Sequence, residues 1–400
     1  MPNVIHGING PVVTVRDTKD FLMQEMVFVG HERLIGEVIG IYEDRTIIQV
    51  YEITTGLRPG EPVYTTGEPL SVTLGPGIIS NIFDGIERPL TRLEEQSGAF
   101  ITRGSSMDAL DTARKWKTEI LVKEGARVSG GQIFAQCPES ASILHRALIP
   151  PKLSGTVTKA APNGEYTIND TLLEVTDEKG KTHPVALAQK WPIRTPRPVR
   201  QRGYSEIPLI TGQRIIDTLI PIAKGGTAAI PGGFGTGKTM TQHQLAKWCD
   251  ADIIIYVGCG ERGNEMTQVL DEFGDLIDPR SGRKLTDRTV LIANTSNMPV
   301  AAREASIYTG ITLAEYYRDM GYDVALMADS TSRWAEALRE ISGRLEEMPA
   351  EEGFPAYLPS RLSQFYERAG MADVLSGGTG SVTVIGAVSP QGGDFSEPVT

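Results

Sequence analysis

The spacing of apolar residues changes along this chain and divides it into β-rich and mixed regions. Residues 1–70 hold short β-rich runs, among them Val12–Val15, Leu34–Tyr42 and Thr46–Ile53, which alternate with Gly, Asp and Pro. A closed barrel leaves no exposed strand edge, so we predict a small N-terminal β-barrel over residues 1–70. Its expected role is that of a structural collar or an oligomerisation domain.

Residues 115–190 carry a second β-type pattern. The runs Val122–Val128 and Ser154–Thr158 flank a centre rich in turn residues, and Tyr166–Ile168 and Leu172–Val175 follow them. The V-x-x-G spacing is similar to that of lipoyl-type carriers, but the Met-Lys-Met attachment triplet is missing. The pattern therefore predicts an inserted β-rich, barrel-sandwich-like domain with a structural role rather than a carrier lysine.

From Ile207 onward, short apolar strands alternate with stretches of helix-compatible composition. The strands are Ile253–Val257, Thr289–Ala293 and Val324–Met327, and the helical stretches between them are Asn264–Phe273 and Val300–Met320. This alternation predicts an α/β domain with a mostly parallel sheet and helices on both faces. We assign residues 191–400 to it, and residues 71–114 to its beginning. Ligands bind such sheets at the carboxyl ends of the strands.

Length and composition are typical of a globular protein with several domains. The chain has 400 residues, of which 40% are hydrophobic and 22% charged, and this length exceeds one ordinary core. No apolar run approaches the roughly 20 residues that span a bilayer, and the N-terminus lacks the features of a signal peptide. We expect a cytoplasmic chain with no transmembrane segment, which contacts a membrane only through partner subunits.

The charge balance and the Cys and His residues exclude several function classes. A formal net charge of −11 disfavours a broad nucleic-acid-binding surface, which is normally basic. The three cysteines have no metal-ligand spacing and are interpreted as free buried thiols. The five histidines are scattered, and none pairs with another ligand type at a spacing that indicates zinc.

One motif carries specific chemistry. Residues 232–239 read Gly-Gly-Phe-Gly-Thr-Gly-Lys-Thr, a complete G-x-x-x-x-G-K-T phosphate loop, which follows the apolar run Thr227–Ile230 and precedes the helix-compatible Met240–Cys249. Glycines let backbone N–H groups form an anion site, and the helix start adds partial positive charge. The predicted nucleotide-binding residues are Gly232, Gly233, Phe234, Gly235, Thr236, Gly237, Lys238, Thr239 and Met240. Lys238 is expected to reach the terminal phosphates, and the Thr239 hydroxyl to coordinate Mg²⁺.

Two further features follow predicted strands. Asp329 ends the apolar run Val324–Asp329 and could hold Mg²⁺ through its water shell, or could instead cap the next helix. Glu261 and Arg262 follow the strand Ile253–Val257 within Gly-Cys-Gly-Glu-Arg-Gly. Glu261 could polarise an attacking water, and Arg262 could contact the γ-phosphate or hold Glu261. The alternative for this pair is a surface ion pair of little consequence.

Taken together, these residues resemble the catalytic A subunit of V/A-type rotary ATPases of archaea and bacteria. The resemblance covers essentially the whole chain, and its most specific segments are Gly232–Thr239, Gly258–Glu265, Ala325–Trp334, Glu346–Pro349 and Gly392–Pro398. It implies an N-terminal β-barrel, an inserted β domain and a RecA-like domain that binds ATP or ADP with Mg²⁺. It also implies an alternating ring of three A and three B subunits around a central stalk, with peripheral-stalk subunits, at the cytoplasmic face of a membrane.

The resemblance also assigns roles to single residues. Lys238 holds the β- and γ-phosphates, Thr239 ligates Mg²⁺, and Asp329 lies by the metal. Glu261 orients the attacking water, and Arg262 contacts the γ-phosphate. An arginine finger comes from the neighbouring B subunit, so the chain alone is expected to hydrolyse ATP poorly.

The chain departs from the family pattern at three places. Gly233 stands where the family usually has Pro, and Thr236 where the archaeal pattern often has Ser. Family members also continue past the position of Thr400 into a helical C-terminal domain, so we expect this 400-residue chain to lack that domain.

Two other functions are compatible with the phosphate loop alone. One is a non-catalytic nucleotide-binding subunit of a similar ring, against which Glu261 and Asp329 argue. The other is a hexameric nucleic-acid motor such as the termination factor Rho, or an export ATPase. The acidic balance and the insert at 115–190 argue against that class. The choices between synthesis and hydrolysis, and between H⁺ and Na⁺, stay open because the ion sites lie in other subunits.

Overall fold

The N-terminal strands form the predicted β-barrel. The computed structural model describes residues 3–16, 20–98, 101–105, 107–233 and 235–400. The barrel strands are β1 (Ile5–Asn9), β2 (Val12–Arg16), β3 (Glu25–Val29), β4 (Leu34–Ile41), β5 (Arg45–Val50) and β6 (Val63–Pro69). They form an antiparallel sheet in the order β1-β2-β5-β4-β3-β6, and a bridge between Val4 and Pro62 brings its two edges together. Alternate residues such as Val13, Val27 and Ile48 are fully buried and fill the barrel.

Residues 71–98 then contain β7 (Ser71–Leu74), β8 (Ile82–Phe83) and helix α1 (Leu90–Ser97). The insert follows with β9 (Trp116–Ile120), β10 (Arg127–Val128), β11 (Ile133–Pro138), β12 (Leu144–Leu148), β13 (Gly155–Ala160), β14 (Gly164–Tyr166), β15 (Leu173–Thr176) and β16 (Thr182–Val185). In the described part of the chain these strands form two sheets, β10-β13-β15-β16 and β12-β11-β9-β14. The predicted β-rich insert is therefore confirmed.

Two details of the insert differ from the sequence prediction. Its centre, interpreted as rich in turns, contains the paired strands β11 and β12. Of the run Val122–Val128, only the last two residues are in a strand. Strand β11 includes Ala135 and Pro138, which have low strand propensity, so its pairing with β9 and its burial decide its conformation.

After the insert, β17 (Gln189–Pro192) pairs with β7, so the chain returns to the point where the insert began. The first part of the last region contains β18 (Gln201–Arg202), β19 (Pro208–Leu209), α2 (Arg214–Leu219), β20 (Ile222–Ala223), β21 (Thr227–Pro231) and α3 (Lys238–Trp248). Its main units are β22 (Ile253–Glu261), α4 (Gly263–Asp275), β23 (Thr289–Thr295), α5 (Val300–Asp319), β24 (Asp323–Asp329) and α6 (Thr331–Arg344). It continues with α7 (Leu358–Tyr366), β25 (Gly370–Asp373) and β26 (Thr379–Val388). The domain boundaries at 70, 114 and 190 stay predictions.

These strands build one mixed sheet whose central part is parallel. Across the described ranges the order is β18-β25-β26-β24-β22-β23-β8, and β21 pairs in parallel with the second half of β26. The apolar residues of α3 and α4 pack on one face, and those of α5 and α6 pack on the other. The predicted α/β fold is confirmed, and the carboxyl ends of β21, β22, β23 and β24 meet at one edge.

Buried polar contacts anchor α5 to both β domains. Arg194 pairs with Glu37 of the barrel and with Glu304 of α5, with N–O distances of 2.8 Å to each. Glu139 of the insert accepts a hydrogen bond from the Tyr317 hydroxyl of α5 at 2.9 Å. Every residue of α5 except Arg303 is buried. These contacts place the first turn of α5, and Arg303 with it, beside the edge where the strands end.

Among the helices in the described ranges, none combines the length and the apolar character that crossing a bilayer requires.

Candidate functional site

A cavity of about 550 Å³ lies at the carboxyl ends of the parallel strands. The described residues that line it are Gly235, Gly237, Lys238, Thr239, Met240, His243, Gly260, Glu261, Arg262, Glu265, Gln268, Ser296, Arg303, Asp329, Arg333 and Ser389. The cavity therefore brings together the phosphate loop, Glu261, Arg262 and Asp329, and its Thr239 and Asp329 are 90 residues apart in the chain. Of the predicted site residues, Phe234 lies outside the described residues, and Gly232, Gly233 and Thr236 belong to the loop beside the cavity.

The phosphate loop has the conformation that its glycines allow. Gly235 and Gly237 have φ angles of 78° and 85°, a left-handed region in which other residues are strained. Lys238 Nζ donates hydrogen bonds of 2.8 Å to the carbonyls of Gly232 and Gly233. Helix α3 begins directly after Gly237 with no side-chain cap, so its first N–H groups face the cavity end of the helix. This arrangement is a ready anion site.

The loop conformation predicts different effects on nucleotide binding for alanine substitutions at Gly237 and Gly233. Gly237→Ala is expected to weaken Mg-ADP binding roughly 5- to 30-fold, because a left-handed alanine costs about 1–2 kcal/mol and binding must restore the strained loop. Gly233→Ala is the matched control, since a Cβ there meets nothing within 4 Å and its φ is not left-handed. Calorimetric titration of both variants with Mg-ADP measures the difference. Equal affinities would contradict this account of the loop.

Asp329 and Thr239 form the candidate metal-binding pair. The Thr239 hydroxyl donates to Asp329 Oδ2 at 2.8 Å, and the Tyr256 hydroxyl donates to the same oxygen at 2.9 Å. Asp329 is buried, which raises the pKa of its carboxyl, while the two hydrogen bonds act in the opposite direction. Asp329 does not cap the next helix. The side chain of Ser330 caps α6 instead, by accepting a hydrogen bond from the backbone N–H of Arg333.

Glu261 is the last residue of β22. The left-handed Gly260 (φ 72°) precedes it, and the register with β23 shifts between Cys259 and Glu261. Burial raises the pKa of Glu261 to about 8, helped by a hydrogen bond that the protonated carboxyl group donates to Glu265 and by the charge of Asp329. A carboxyl group with a pKa near neutrality, in a cleft, is suited to general acid–base work.

Arg262 lies at the mouth of the cavity. Its side chain is 57% exposed and its Nη1 is 3.8 Å from Glu265 Oε1. Met240 also lies at the margin and is 48% exposed. An ion pair at this distance on an exposed arginine contributes little to stability.

Sequence reasoning assigned no role to several residues that line the cavity: His243, Glu265, Ser296, Arg303 and Arg333. Arg303 lies in the first turn of α5, which follows β23, and its Nη2 donates to the carbonyl of Ser296 at 3.0 Å. Arg333 lies in the first turn of α6, and its Nη1 is 2.8 Å from Glu336 Oε2. Each residue follows the carboxyl end of a parallel strand. This position is the signal that identifies them once the strand ends are known.

The cavity differs in charge from the chain as a whole. Its described lining includes four basic side chains (Lys238, Arg262, Arg303 and Arg333) against three acidic ones (Glu261, Glu265 and Asp329), whereas the chain carries −11. Local positive charge next to a helix N-terminus favours a polyphosphate.

The residues beside the phosphate loop fit a Mg²⁺ ion. Thr239 and Asp329 place a hydroxyl and a carboxylate, both hard oxygen donors, at the wall of the cavity, where the hydroxyl is hydrogen-bonded to one carboxylate oxygen at 2.8 Å. Within the described residues there is no cluster of three or more His, Cys, Asp or Glu side chains that could enclose a metal. Mg²⁺ typically takes one or two protein oxygens together with substrate phosphates and water, so this sparse set is appropriate for it.

Comparison with protein families matches three consecutive regions. Residues 5–67 match the ATP synthase alpha/beta family, beta-barrel domain; residues 107–194 match the ATPsynthase alpha/beta subunit barrel-sandwich domain; and residues 212–400 match the ATP synthase alpha/beta family, nucleotide-binding domain. The three matches follow the barrel, the insert and the mixed sheet in order.

Comparison with curated proteins gives close relatives over nearly the whole chain. The chain is 64% identical to the V-type ATP synthase alpha chain of Halothermothrix orenii over 394 residues, covering 98% of this chain and 67% of that relative. It is 61% identical to the A subunit of the A-type ATP synthase of Methanopyrus kandleri over 406 residues, covering 100% of this chain and 69% of that relative. The chain thus spans about two thirds of the length of these relatives.

Among solved structures, the assembled ATPase EscN of the enteropathogenic E. coli type III secretion system matches with a TM-score of 0.65 and 23% identity, covering 99% of this chain and 72% of that chain. At this identity the match concerns the fold alone. The identity to the two relatives, and the three domain matches in order, show that this chain belongs to the ATP synthase alpha/beta family, within the group of V-type alpha chains and A-type A subunits.

Proposed function

We propose that this chain is the catalytic, ATP-binding subunit of a V/A-type rotary ATPase or ATP synthase. It hydrolyses or makes ATP, and partner subunits couple that chemistry to H⁺ or Na⁺ transport across a membrane. The observation that carries the proposal is the meeting of the phosphate loop, Glu261 and Asp329 in one cavity at the strand ends. A nucleotide-binding subunit without catalysis needs the loop but has no use for a half-buried carboxyl group placed like Glu261.

Binding begins with an exchange of partners at Lys238. In the structure its ammonium group is held by the carbonyls of Gly232 and Gly233, at the start of the loop directly after β21. An incoming triphosphate offers charged oxygens, which make stronger hydrogen bonds with an ammonium group than neutral carbonyls do. The N–H groups of Gly235, Gly237 and the start of α3 then surround the phosphates.

Thr239 and Asp329 are the residues that would hold Mg²⁺ with the nucleotide. The bound ion would neutralise charge on the β- and γ-phosphate oxygens. Asp329 keeps one oxygen engaged by the Thr239 and Tyr256 hydroxyls, so its orientation is set before any ligand arrives.

Glu261 is the residue we assign to the attacking water. As a carboxylate it would accept a hydrogen bond from that water and aim it at the γ-phosphorus in line with the leaving oxygen. Arg262 would stabilise the γ-phosphate from the mouth of the cavity. Arg303 and Arg333, which also line the cavity, would add positive charge where charge on the transferring group grows.

The proposed partners are a B subunit in an alternating ring of three A and three B subunits, with central-stalk and peripheral-stalk subunits. The B subunit would supply an arginine in trans to complete the site. In this assembly the chain lies at the cytoplasmic face of a membrane and reaches that membrane only through the complex. Nucleic acid is not a proposed partner.

The experiment that tests the proposal combines assembly with turnover. The chain is mixed with a cognate B subunit, the product is examined by native mass spectrometry, and phosphate release from Mg-ATP is measured with and without B. The expected result is a three-plus-three ring with ATPase activity that neither component has alone. A chain that fails to bind Mg-ATP or Mg-ADP in calorimetry, or a ring whose ATPase activity requires RNA, would overturn it.

A further inference from the structure

We propose that Tyr256 is a positioning residue for Asp329. Its hydroxyl holds one oxygen of that carboxylate and leaves the other directed to the bound metal ion. The inference rests on the proposed function, since it concerns the Mg²⁺ that accompanies the nucleotide. It goes beyond that function because it assigns a role in metal binding to Tyr256, which lies in the middle of β22.

Two donors converge on a single carboxylate oxygen. The Tyr256 hydroxyl donates to Asp329 Oδ2 at 2.9 Å, and the Thr239 hydroxyl donates to the same oxygen at 2.8 Å. Within the described part of the chain, Asp329 Oδ1 receives no hydrogen bond. The carboxylate lines the nucleotide cavity, so Oδ1 is the oxygen available to a cation or its water shell.

The strand pairing explains why Tyr256 can reach this carboxylate. Strands β22 and β24 run in parallel, with Tyr256 opposite Met327 and Gly258 opposite Asp329. Tyr256 therefore stands two residues below the level of Asp329 on the neighbouring strand. A tyrosine side chain is long enough to span that offset, whereas a residue the size of Val or Leu is not.

Aromatic neighbours fix the ring of Tyr256. The rings of His243 on α3 and Phe273 on α4 both meet the Tyr256 ring edge to face, each with a centroid distance of 5.7 Å. His243 Nδ1 is in turn 3.0 Å from Glu272 Oε2, and His243 lies four residues after Thr239 on the same face of α3. The hydroxyl direction is thus determined by packing from α3 and α4.

The Tyr256 hydroxyl has a single proton to donate, and in the structure it donates that proton to Asp329 Oδ2. In other metal sites, removing a residue that hydrogen-bonds to a metal-binding side chain weakens metal binding by about 10- to 100-fold.

Tyr256→Phe is the test, because it removes the hydroxyl and keeps the ring. Mn²⁺ serves as the probe, and its dissociation constant in the presence of saturating ADP is measured by electron paramagnetic resonance. We expect Mn²⁺ to bind about tenfold more weakly. ADP affinity without metal should be unchanged, and in the assembled ring the Mg²⁺ concentration for half-maximal activity should rise.

Two further variants complete the test. Tyr308→Phe is the matched control: this tyrosine is also buried, its hydroxyl has no partner among the described residues, and it lies on α5 outside the cavity. Phe273→Leu keeps the hydroxyl of Tyr256 but loosens its ring, and should weaken Mn²⁺ binding by a smaller factor.

The outcomes separate this inference from the proposed function. Tenfold weaker Mn²⁺ binding by Tyr256→Phe, with Tyr308→Phe unchanged, supports the positioning role. Unchanged Mn²⁺ binding by Tyr256→Phe overturns it and leaves the proposed function intact, whatever happens to thermal stability. A parent chain that binds no Mn²⁺ with ADP overturns the proposed function, and this inference with it.

Discussion

Glu261→Gln is expected to keep Mg-ATP binding within about threefold of the parent chain and to lower turnover in the assembled ring by about 10²- to 10⁴-fold. The amide has the shape of the protonated carboxyl group, which is the dominant form below a pKa of about 8 in the nucleotide-free site. Binding therefore meets an almost unchanged surface. Turnover falls because an amide oxygen is a far weaker base than a carboxylate for the attacking water.

Glu340→Gln is the matched control, since it makes the same chemical change at an exposed glutamate of α6 paired with Arg344 at 3.6 Å. Calorimetry gives the affinity for Mg-ATP, and phosphate release gives the rate. Turnover of Glu261→Gln near that of Glu340→Gln would remove Glu261 from the chemistry.

The raised pKa adds a pH signature to the same prediction. The carboxylate is the active form, so kcat/KM should rise with pH, with a slope near one below about pH 8, and level off above it. The inflection should be lost in Glu261→Gln. It should move to lower pH in Glu265→Gln, because the hydrogen bond and charge of Glu265 contribute to raising the pKa of Glu261.

Lys238→Ala is expected to weaken binding of Mg-ADP and Mg-ATP by about 10- to 100-fold, since hydrogen bonds to charged groups contribute about 1.5–3 kcal/mol each. The loss concerns affinity itself, in contrast to Glu261→Gln. The ammonium group is the charge nearest to the loop carbonyls of Gly232 and Gly233, and no other described basic side chain donates to them.

Lys247→Ala provides the control for this second variant. Lys247 lies in the last turn of the same helix, over the ring of Trp248, and does not line the cavity. Thermal unfolding without nucleotide shows whether either variant perturbs the fold. Unchanged nucleotide affinity in well-folded Lys238→Ala would contradict the role of the loop as a phosphate cradle.

Local patterns were sufficient to predict the architecture. Alternating apolar runs indicated the barrel and the insert, and strand–helix alternation indicated the parallel sheet, because side-chain periodicity follows from which face each element buries. The glycine spacing of residues 232–239 indicated the phosphate loop, because left-handed backbone at Gly235 and Gly237 is a local requirement.

Local patterns do not predict contacts between residues that are far apart in the sequence. Strands β11 and β12 are not predicted from the sequence, because their pairing and burial depend on partners elsewhere in the insert. Arg303 and Arg333 were given no role, although both line the cavity, because nothing in their own segments distinguishes them from surface arginines.

The sequence alone determined which chemical groups this protein possesses and where its backbone must turn: a glycine loop with Lys238 and Thr239, and carboxylates at two strand ends. Only the tertiary structure decided how those groups behave. It placed Glu261 half-buried beside Glu265, where the pKa of Glu261 rises to about 8. It also gave the cap of α6 to Ser330, so that Asp329 contacts Thr239 and Tyr256. The reason is physical: bond geometry and side-chain periodicity act between neighbours in the chain, whereas desolvation and hydrogen-bond partners arise from residues that meet only after folding.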